Sequence, residues 1–178
     1  MRQAQSLTSL VGCLIGASVV FTVLANAQDA AVTPKFEDYP AGARHRGPNH
    51  PLVLDGEFSR SYRTRLRKAI ALRKPEFAGR YIVARWGCGG SGCSIGAVID
   101  ASTGRAIPLP GPVMSVHPLK PQYAHEDGQE LIYHLSSRLM VRAGDMDRED
   151  GKDVIEFHEL RNGEFRLVKT SPYGRAPP

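Results

Sequence analysis

Cysteine, aromatic residues and long apolar runs are all scarce in this chain. It has 178 residues, of which 3 are Cys and 7% are aromatic, with a single Trp. So few cysteines cannot build a dense disulfide framework, and a chain of this length buries about two-thirds of its unfolded surface without one. The composition therefore indicates one ordinary globular domain and excludes collagen-like and low-complexity chains.

The longest apolar run lies near the N-terminus and is too short to cross a bilayer. Residues 14–24 give roughly 11 positions, against the roughly 20 that a spanning helix needs. Arg2 precedes this run and an Ala-x-Ala site ending at Ala27 follows it, so residues 1–27 are predicted to be a cleaved signal peptide. An alternative is lipidation of Cys13 in a lipobox-like segment, although the apolar run follows that cysteine instead of preceding it.

The predicted export signal and the charge together limit the partners. A signal peptide without a transmembrane anchor after cleavage predicts an exported protein that is periplasmic or secreted. The formal net charge of +5 suits an envelope protein or an anionic envelope component. Export argues against nucleic acid as a partner.

An extended lead-in and then one helix are predicted after the signal. Residues 28–57 are rich in Pro and Gly and show neither the strand nor the helix period, which is typical of an extended segment lying over a domain. From Phe58 to Leu72 apolar residues recur at helical spacing, with Ser59 as the predicted N-cap and Pro75 as the stop. The other positions of this helix are basic, which fits a docking surface for an anionic partner or an ordinary solvated face.

Alternating apolar residues beyond the helix predict antiparallel strands. The predicted strands are at residues 81–86, 95–100, 131–141, 154–160 and 165–168. Asn162 and Gly163 predict a type I′ hairpin turn, whereas the proline-rich residues 108–128 predict a surface loop. Residues 58–178 are therefore predicted to form a single α+β domain, with one N-terminal amphipathic helix packed on an antiparallel β meander of about six strands.

Two cysteines enclose a short glycine-rich loop between the first two predicted strands. The loop residues between Cys88 and Cys93 are Gly89, Gly90, Ser91 and Gly92. In an oxidising compartment this arrangement predicts a Cys88–Cys93 disulfide. A redox-active pair is the alternative, but thioredoxin-type chemistry uses C-x-x-C at a helix N-terminus, and here a strand is predicted to follow. A metal site would need two further ligands at a spacing that the sequence does not offer.

This loop and its neighbours are the candidate binding site. A rigid loop binds with little ordering cost, so we expect a binding or inhibitor-like module without a cofactor. The candidate binding residues are Trp86, Gly89, Gly90, Ser91, Arg80 and Arg85. The alternative is a small periplasmic enzyme or thiol-redox protein that uses the same loop. No nucleophile, base and orienting residue can be nominated together, so no catalytic residue is predicted.

Two further motifs lack the context that their chemistry requires. Residues 92–96 match G-x-S-x-G, but a nucleophile elbow needs a helix after the serine, and a strand is predicted there. Residues 145–151 partly imitate a calcium-binding loop, but the glycine falls one place late and strands flank the segment. Neither motif therefore predicts a site.

Five short segments along the predicted mature chain, taken in order, match a family pattern. They are residues 36–40, 62–67, 77–81 and 86–89, then Asp100 with Thr103 and Gly104. Together they resemble a family of small exported bacterial proteins of unassigned activity that carries an FAGxY…WGCG…C segment. The resemblance covers most of the mature chain and implies no activity, cofactor or partner. Members of that family commonly have His at the position of Arg80 and a shorter spacing between the two cysteines.

Overall fold

The computed structural model describes residues 33–89, 93–116, 131–145 and 153–173. In these ranges the chain is α+β with antiparallel strands, as predicted, but the strands are divided between two sheets instead of forming one meander. Several predicted features lie outside the described residues: the signal peptide, residues 28–32, Gly90, Ser91, most of the proline-rich loop, and residues 146–151 of the calcium-like motif. No helix in the described ranges is long and apolar enough to cross a membrane.

The predicted helix is present but is interrupted. It consists of α1, Glu57–Ser61, and α2, Arg63–Leu72, separated at Tyr62. Gly56 is the N-cap, not Ser59 as predicted. Because glycine has no capping side chain, Ser59 caps from inside the helix: its buried Oγ accepts from the Gly56 N–H at 3.2 Å and donates to the Gly56 carbonyl at 3.0 Å.

The first sheet contains three antiparallel strands in the order β1-β2-β3. These are β1, Tyr81–Gly87, β2, Ser94–Asp100, and β3, Ala106–Pro108. Tyr81 pairs with Asp100 at one end of the β1–β2 hairpin, and Gly87 pairs with Ser94 at the other. This register places the two ends of the hairpin about 20 Å apart, the length of a seven-residue strand.

The second sheet contains five strands in the order β4-β6-β7-β8, with β5 also paired to β6. They are β4, Ser115–Val116, β5, Leu131–Tyr133, β6, Leu139–Asp145, β7, Asp153–Arg161, and β8, Glu164–Pro172. Asn162 and Gly163 have φ angles of 53° and 80°, which confirms the predicted hairpin turn. β4 lies inside the stretch predicted as loop, where it pairs with β6.

Strand alternation builds the layers of the domain. Along β1, Ile82 and its alternate neighbours face α2, where they pack with Leu66 and Ile70. Val83 faces the opposite way and packs with Met140 of the second sheet. The helices therefore cover one face of the first sheet, and the second sheet covers the other. A third apolar cluster on the far face of the second sheet contains Leu139, Val141, Ile155 and Phe157, with Phe36 and Tyr39 packed against it.

The lead-in is attached to both sheets by backbone hydrogen bonds. The donor and acceptor pairs, 2.8–2.9 Å apart, are Ala41 to Ser136, His45 to Gly79, His50 to Ala101 and Val53 to Gly104. Buried Ser137 adds a side-chain contact, since its Oγ lies 2.8 Å from the Phe36 carbonyl oxygen. At Gly104, with φ 75°, an added Cβ would lie 1.9 Å from the Pro51 carbonyl oxygen. The close approach of the lead-in to the β2–β3 turn therefore requires glycine at position 104.

Candidate functional site

The predicted disulfide is present at one end of the first sheet. Cys88 and Cys93 are bonded, with a Cα–Cα distance of 5.4 Å, directly beyond the Gly87–Ser94 pair. The bond closes the β1–β2 hairpin and is typical of proteins in oxidising compartments. The cysteines are followed by strand β2 and not by a helix, so the helix dipole that activates a thioredoxin-type thiol is missing.

Removing this bond is expected to destabilise the hairpin only moderately. A Cys88→Ser/Cys93→Ser double variant frees a loop of five intervening peptide units, which corresponds to about 2 kcal/mol of unfolding free energy in the loop-entropy estimate. Urea denaturation of the variant and of the oxidised parent protein measures the difference. A loss above about 5 kcal/mol would contradict a purely local role, because it exceeds the range for single disulfides.

The Trp86 side chain is buried and is not exposed beside the disulfide. Its indole is 8% exposed and lies under the helices, with ring centroids 5.0 Å from Tyr62 and 6.4 Å from Phe58. The Arg65 guanidinium lies 5.8 Å from the Trp86 ring centroid, within cation–π range. Trp86 Nε1 is buried and has no hydrogen-bond partner in the described part of the chain. Trp86 thus belongs to the packing between helix and sheet.

Arg85 points the other way, toward the second sheet. It borders a narrow crevice that also contains Leu131 and Arg142. Burial lowers the pKa of Arg85 below its ordinary value. The candidate residues Trp86 and Arg85 are adjacent in sequence but lie on opposite faces of β1, because side chains alternate along a strand.

Arg80 lies at the opposite end of β1 from the disulfide. Its Nε is 3.1 Å from Asp100 Oδ2, and its Nη2 donates to the Tyr81 hydroxyl at 3.3 Å. The hydrogen bond to Tyr81 raises the pKa of Arg80, burial lowers it, and the charges of Tyr81 and Asp100 raise it further. The net effect is a raised pKa, so the guanidinium stays cationic. The contacts with Asp100 and Tyr81 hold it in one orientation.

Asp100 orients this arginine. The carboxylate is 5% exposed, and its Oδ1 accepts from the Ser102 N–H at 2.9 Å and from the Ser102 hydroxyl at 2.6 Å. Together with the Arg80 ion pair, these contacts occupy both carboxylate oxygens. Asp100 therefore acts as a fixed anionic support and not as a free general base.

Arg80 opens onto a groove of about 1010 Å³. Its walls come from the start of β1, the turn between β2 and β3, the β7–β8 turn and the lead-in. Four arginines line it: Arg80, Arg105, Arg138 and Arg161. We call this surface the arginine groove.

Two of the other three arginines are also held by carboxylates. Arg105 Nη2 lies 2.9 Å from Asp55 Oδ2. Arg138 Nη1 lies 2.5 Å from Glu159 Oε1, and its Nε donates to the Pro40 carbonyl at 2.9 Å. A guanidinium has five N–H donors in a fixed fork, so each ion pair leaves donors for another oxygen-bearing group.

Arg161 differs from the other three because it has no carboxylate partner in the described ranges. It is exposed and directly precedes the Asn162-Gly163 turn. No histidine, cysteine or serine is present among the described residues that line the groove. The arrangement therefore suits binding of an anionic group better than covalent or acid–base chemistry.

A second polar cluster lies between the two sheets. Arg142, on β6, is 2% exposed and donates to the carbonyl oxygens of Pro110 and Gly111, the latter at 3.0 Å. Its Nη1 is 3.8 Å from Glu156 Oε2, which lies 2.9 Å from His158 Nε2. Burial lowers the pKa of Arg142 to about 10, against the raising effect of Glu156. The cluster fastens the segment after β3 to the second sheet.

Sequence reasoning placed the site at the disulfide loop, whereas the structure separates its candidate residues. Arg80 lies in the arginine groove, Cys88, Cys93 and Gly89 lie at the other end of β1, and Trp86 is packed under the helices. The other groove arginines were not anticipated. The one sequence signal for them was the Asn-Gly turn, which projects Arg161 from the end of β7.

The described residues offer no metal site, and the comparisons with known proteins find no relative of the chain. They contain no group of three or more His, Cys, Asp or Glu side chains that could hold a metal ion. The predicted family resemblance stays a prediction. Comparison of the chain with protein-family models, with curated proteins and with solved structures finds no match, so its function has to be inferred from its own geometry.

Proposed function

We propose that this chain is an exported binding module whose arginine groove takes a carboxylate- or phosphate-bearing ligand. Export rests on the predicted signal peptide at residues 1–27, and the disulfide supports an oxidising compartment such as the bacterial periplasm. In this proposal the Cys88–Cys93 loop stabilises the scaffold, and ligand binding occurs at the other end of β1.

The observation that carries the proposal is the way Arg80 is held. Asp100 and Tyr81 engage Nε and Nη2, which leaves Nη1 without a partner in the described part of the chain. The side chain is 48% exposed where it lines the groove. A guanidinium that is already fixed loses little conformational entropy when a ligand binds. At neutral pH it can donate charge-assisted hydrogen bonds to a carboxylate or phosphate, and such bonds are stronger than those between neutral groups.

The dimensions of the groove indicate a ligand larger than a single anion. Its volume of about 1010 Å³ is at the upper end of the roughly 300–1,000 Å³ of small-molecule sites. Arg161 and Arg80 stand on different walls, one at the β7–β8 turn and one at the start of β1. A ligand with acidic groups at two points satisfies both, which favours a short acidic chain over an isolated phosphate.

Titration of the protein with three anions of increasing length tests this proposal. The probes are inorganic phosphate, succinate and a short polyglutamate peptide, followed by amide chemical shifts in NMR and by calorimetry. We expect the peptide to bind most tightly and to shift resonances at both Arg80 and the β7–β8 turn. Arg161→Ala is expected to weaken binding about tenfold, since it removes one charge-assisted hydrogen bond and disturbs no ion pair.

Two further variants make the test specific. Arg80→Lys keeps the charge but loses the planar set of guanidinium donors that contacts Asp100, Tyr81 and the ligand together. Ligand binding should therefore weaken, while the free energy of unfolding should change little. Arg166→Ala, on exposed β8 outside the groove lining, is the matched control and should bind like the parent protein. Equal effects of Arg161→Ala and Arg166→Ala, or no shifts at the groove with any probe, would refute the proposal.

A further inference from the structure

We propose that the exposed face of α1 and α2 docks on a membrane surface rich in anionic phospholipids. We call this surface the cationic helix face; it consists of the exposed side chains of residues 57–74. It is separate from the arginine groove and takes a different class of partner. The argument rests on charge distribution, on the missing carboxylates and on one exposed apolar side chain.

The net positive charge of residues 57–74 exceeds the net charge of the whole chain. Residues 57–74 contain seven of the 23 Lys and Arg but only one of the 18 Asp and Glu. Seven cations and one anion give this segment a formal charge of +6, against +5 for the full chain. The remainder of the protein is therefore close to neutral, and the charge is concentrated on one element.

The exposed positions of α2 include no carboxylate. They are Arg63, Thr64, Arg65, Arg67, Lys68, Ala71 and Leu72. Opposite charges at i,i+4 spacing stabilise a solvated helix, whereas like charges at that spacing destabilise it. In the described residues the segment makes one ion pair with a carboxylate, between Arg73 and Glu76 at 3.4 Å. Arg63, Arg67 and Lys68 have none, so their charges are available to a partner.

An apolar residue stands at the end of this cationic surface. Leu72 is 73% exposed, the highest value of the large apolar side chains that the structure describes. Cations surrounding an exposed leucine fit the headgroup region of a bilayer, where phosphates meet the acyl chains. Nucleic acid fits less well, since the nearby rings of Phe58, Tyr62 and Trp86 pack on one another and form no open stacking platform.

The geometry predicts peripheral attachment with the domain intact. The apolar side of α2, including Leu66 and Ile70, is already buried on the first sheet, so the helix has no second apolar face to insert. Binding should therefore be mainly electrostatic, with each cation near the surface strengthening it about fivefold. Such binding weakens as salt increases, because exposed charges are screened.

Sedimentation of the folded mature protein with vesicles tests this proposal. One vesicle preparation contains phosphatidylcholine alone, and the other also contains phosphatidylglycerol. We expect binding only to the second and a steady loss of binding as ionic strength rises. The double variant Arg63→Gln/Arg67→Gln should lower the partition coefficient about 25-fold, and Leu72→Ser should lower it to a smaller extent at every salt concentration.

A charge-matched control separates this surface from the groove. Arg46→Gln/Arg166→Gln also removes two exposed arginines, but these lie on the lead-in and on β8, outside both the cationic helix face and the groove lining, and the variant should bind vesicles like the parent protein. Conversely, Arg63→Gln/Arg67→Gln should leave anion binding in the groove unchanged. Circular dichroism verifies that both double variants are folded. The proposal is overturned by equal losses in the two double variants, by no binding to anionic vesicles, or by preferential binding of duplex DNA in competition.

Discussion

Replacing Arg142 with methionine is expected to lower the free energy of unfolding by about 3–5 kcal/mol. The guanidinium lies between the two sheets, satisfies the Pro110 and Gly111 carbonyls, and neighbours Glu156 at 3.8 Å. Methionine fills similar space but removes the Arg142 cation from beside the Glu156 carboxylate and leaves two carbonyls without this donor. Urea denaturation of the Arg142→Met protein measures the loss.

A second substitution identifies the cause of that loss. If loss of the interaction between Arg142 and Glu156 dominates, Arg142→Met/Glu156→Gln should recover part of the stability, because glutamine keeps an acceptor for His158 without the carboxylate charge. If the double variant is no more stable than Arg142→Met, the carbonyl contacts dominate. A cost of Arg142→Met below about 1 kcal/mol would contradict both explanations, since that is typical of an exposed ion pair.

Substitution of Gly104 with alanine is expected to cost about 3 kcal/mol or more. Its φ of 75° alone disfavours an L side chain by about 1–2 kcal/mol. In addition, the new Cβ would lie 1.9 Å from the Pro51 carbonyl oxygen and 2.9 Å from His50 Nδ1, so the lead-in has to move away. Overpacking of this kind adds about 1–3 kcal/mol. Chemical denaturation gives the total, and amide exchange at Val53, which donates to Gly104, reports the local displacement.

Gly163 provides the matched control for this prediction. It has a similar φ of 80°, but an added Cβ meets no atom within 4 Å. Gly163→Ala should therefore show the backbone cost alone, about 1–2 kcal/mol. The difference between the two variants isolates the close contact between the lead-in and the β2–β3 turn. Equal costs for Gly104→Ala and Gly163→Ala would show that the lead-in adjusts freely.

Features whose determinants lie close together in sequence could be predicted. The hairpin at Asn162-Gly163 needs two residues with positive φ, and the Cys88–Cys93 bond needs two thiols on paired strand ends. The helix followed from apolar spacing, although its start at Gly56 did not, because an N-cap without a side chain gives no signal. The division into two sheets depends on where neighbouring strands do not pair, as between β3 and β4, and alternation alone does not specify that.

Most of the candidate site could not be predicted, because it is built from distant parts of the chain; of the groove arginines, only Arg80 was a candidate from the sequence. Arg80, Arg105 and Arg161 are separated by long stretches and meet only where the sheets and turns converge. The sequence predicts Trp86 as a binding residue beside a glycine loop, but strand alternation places it under the helices. The burial of Arg142 is equally invisible in sequence, since charged residues are rarely buried and nothing nearby marks this one.

The attachment of the lead-in also constrains the order of folding. Ser137 contacts the Phe36 carbonyl across 101 positions of sequence, and Ala41 bonds to Ser136 over a similar separation. Contacts of such long range form slowly, because a large loop must close before they contribute. We therefore expect the lead-in, from Phe36 to Val53, to dock last, after the second sheet has formed. Until then, the turn backbones that the lead-in finally covers are accessible to solvent. We therefore expect this partly folded state to be the form of the chain most exposed to proteases and aggregation.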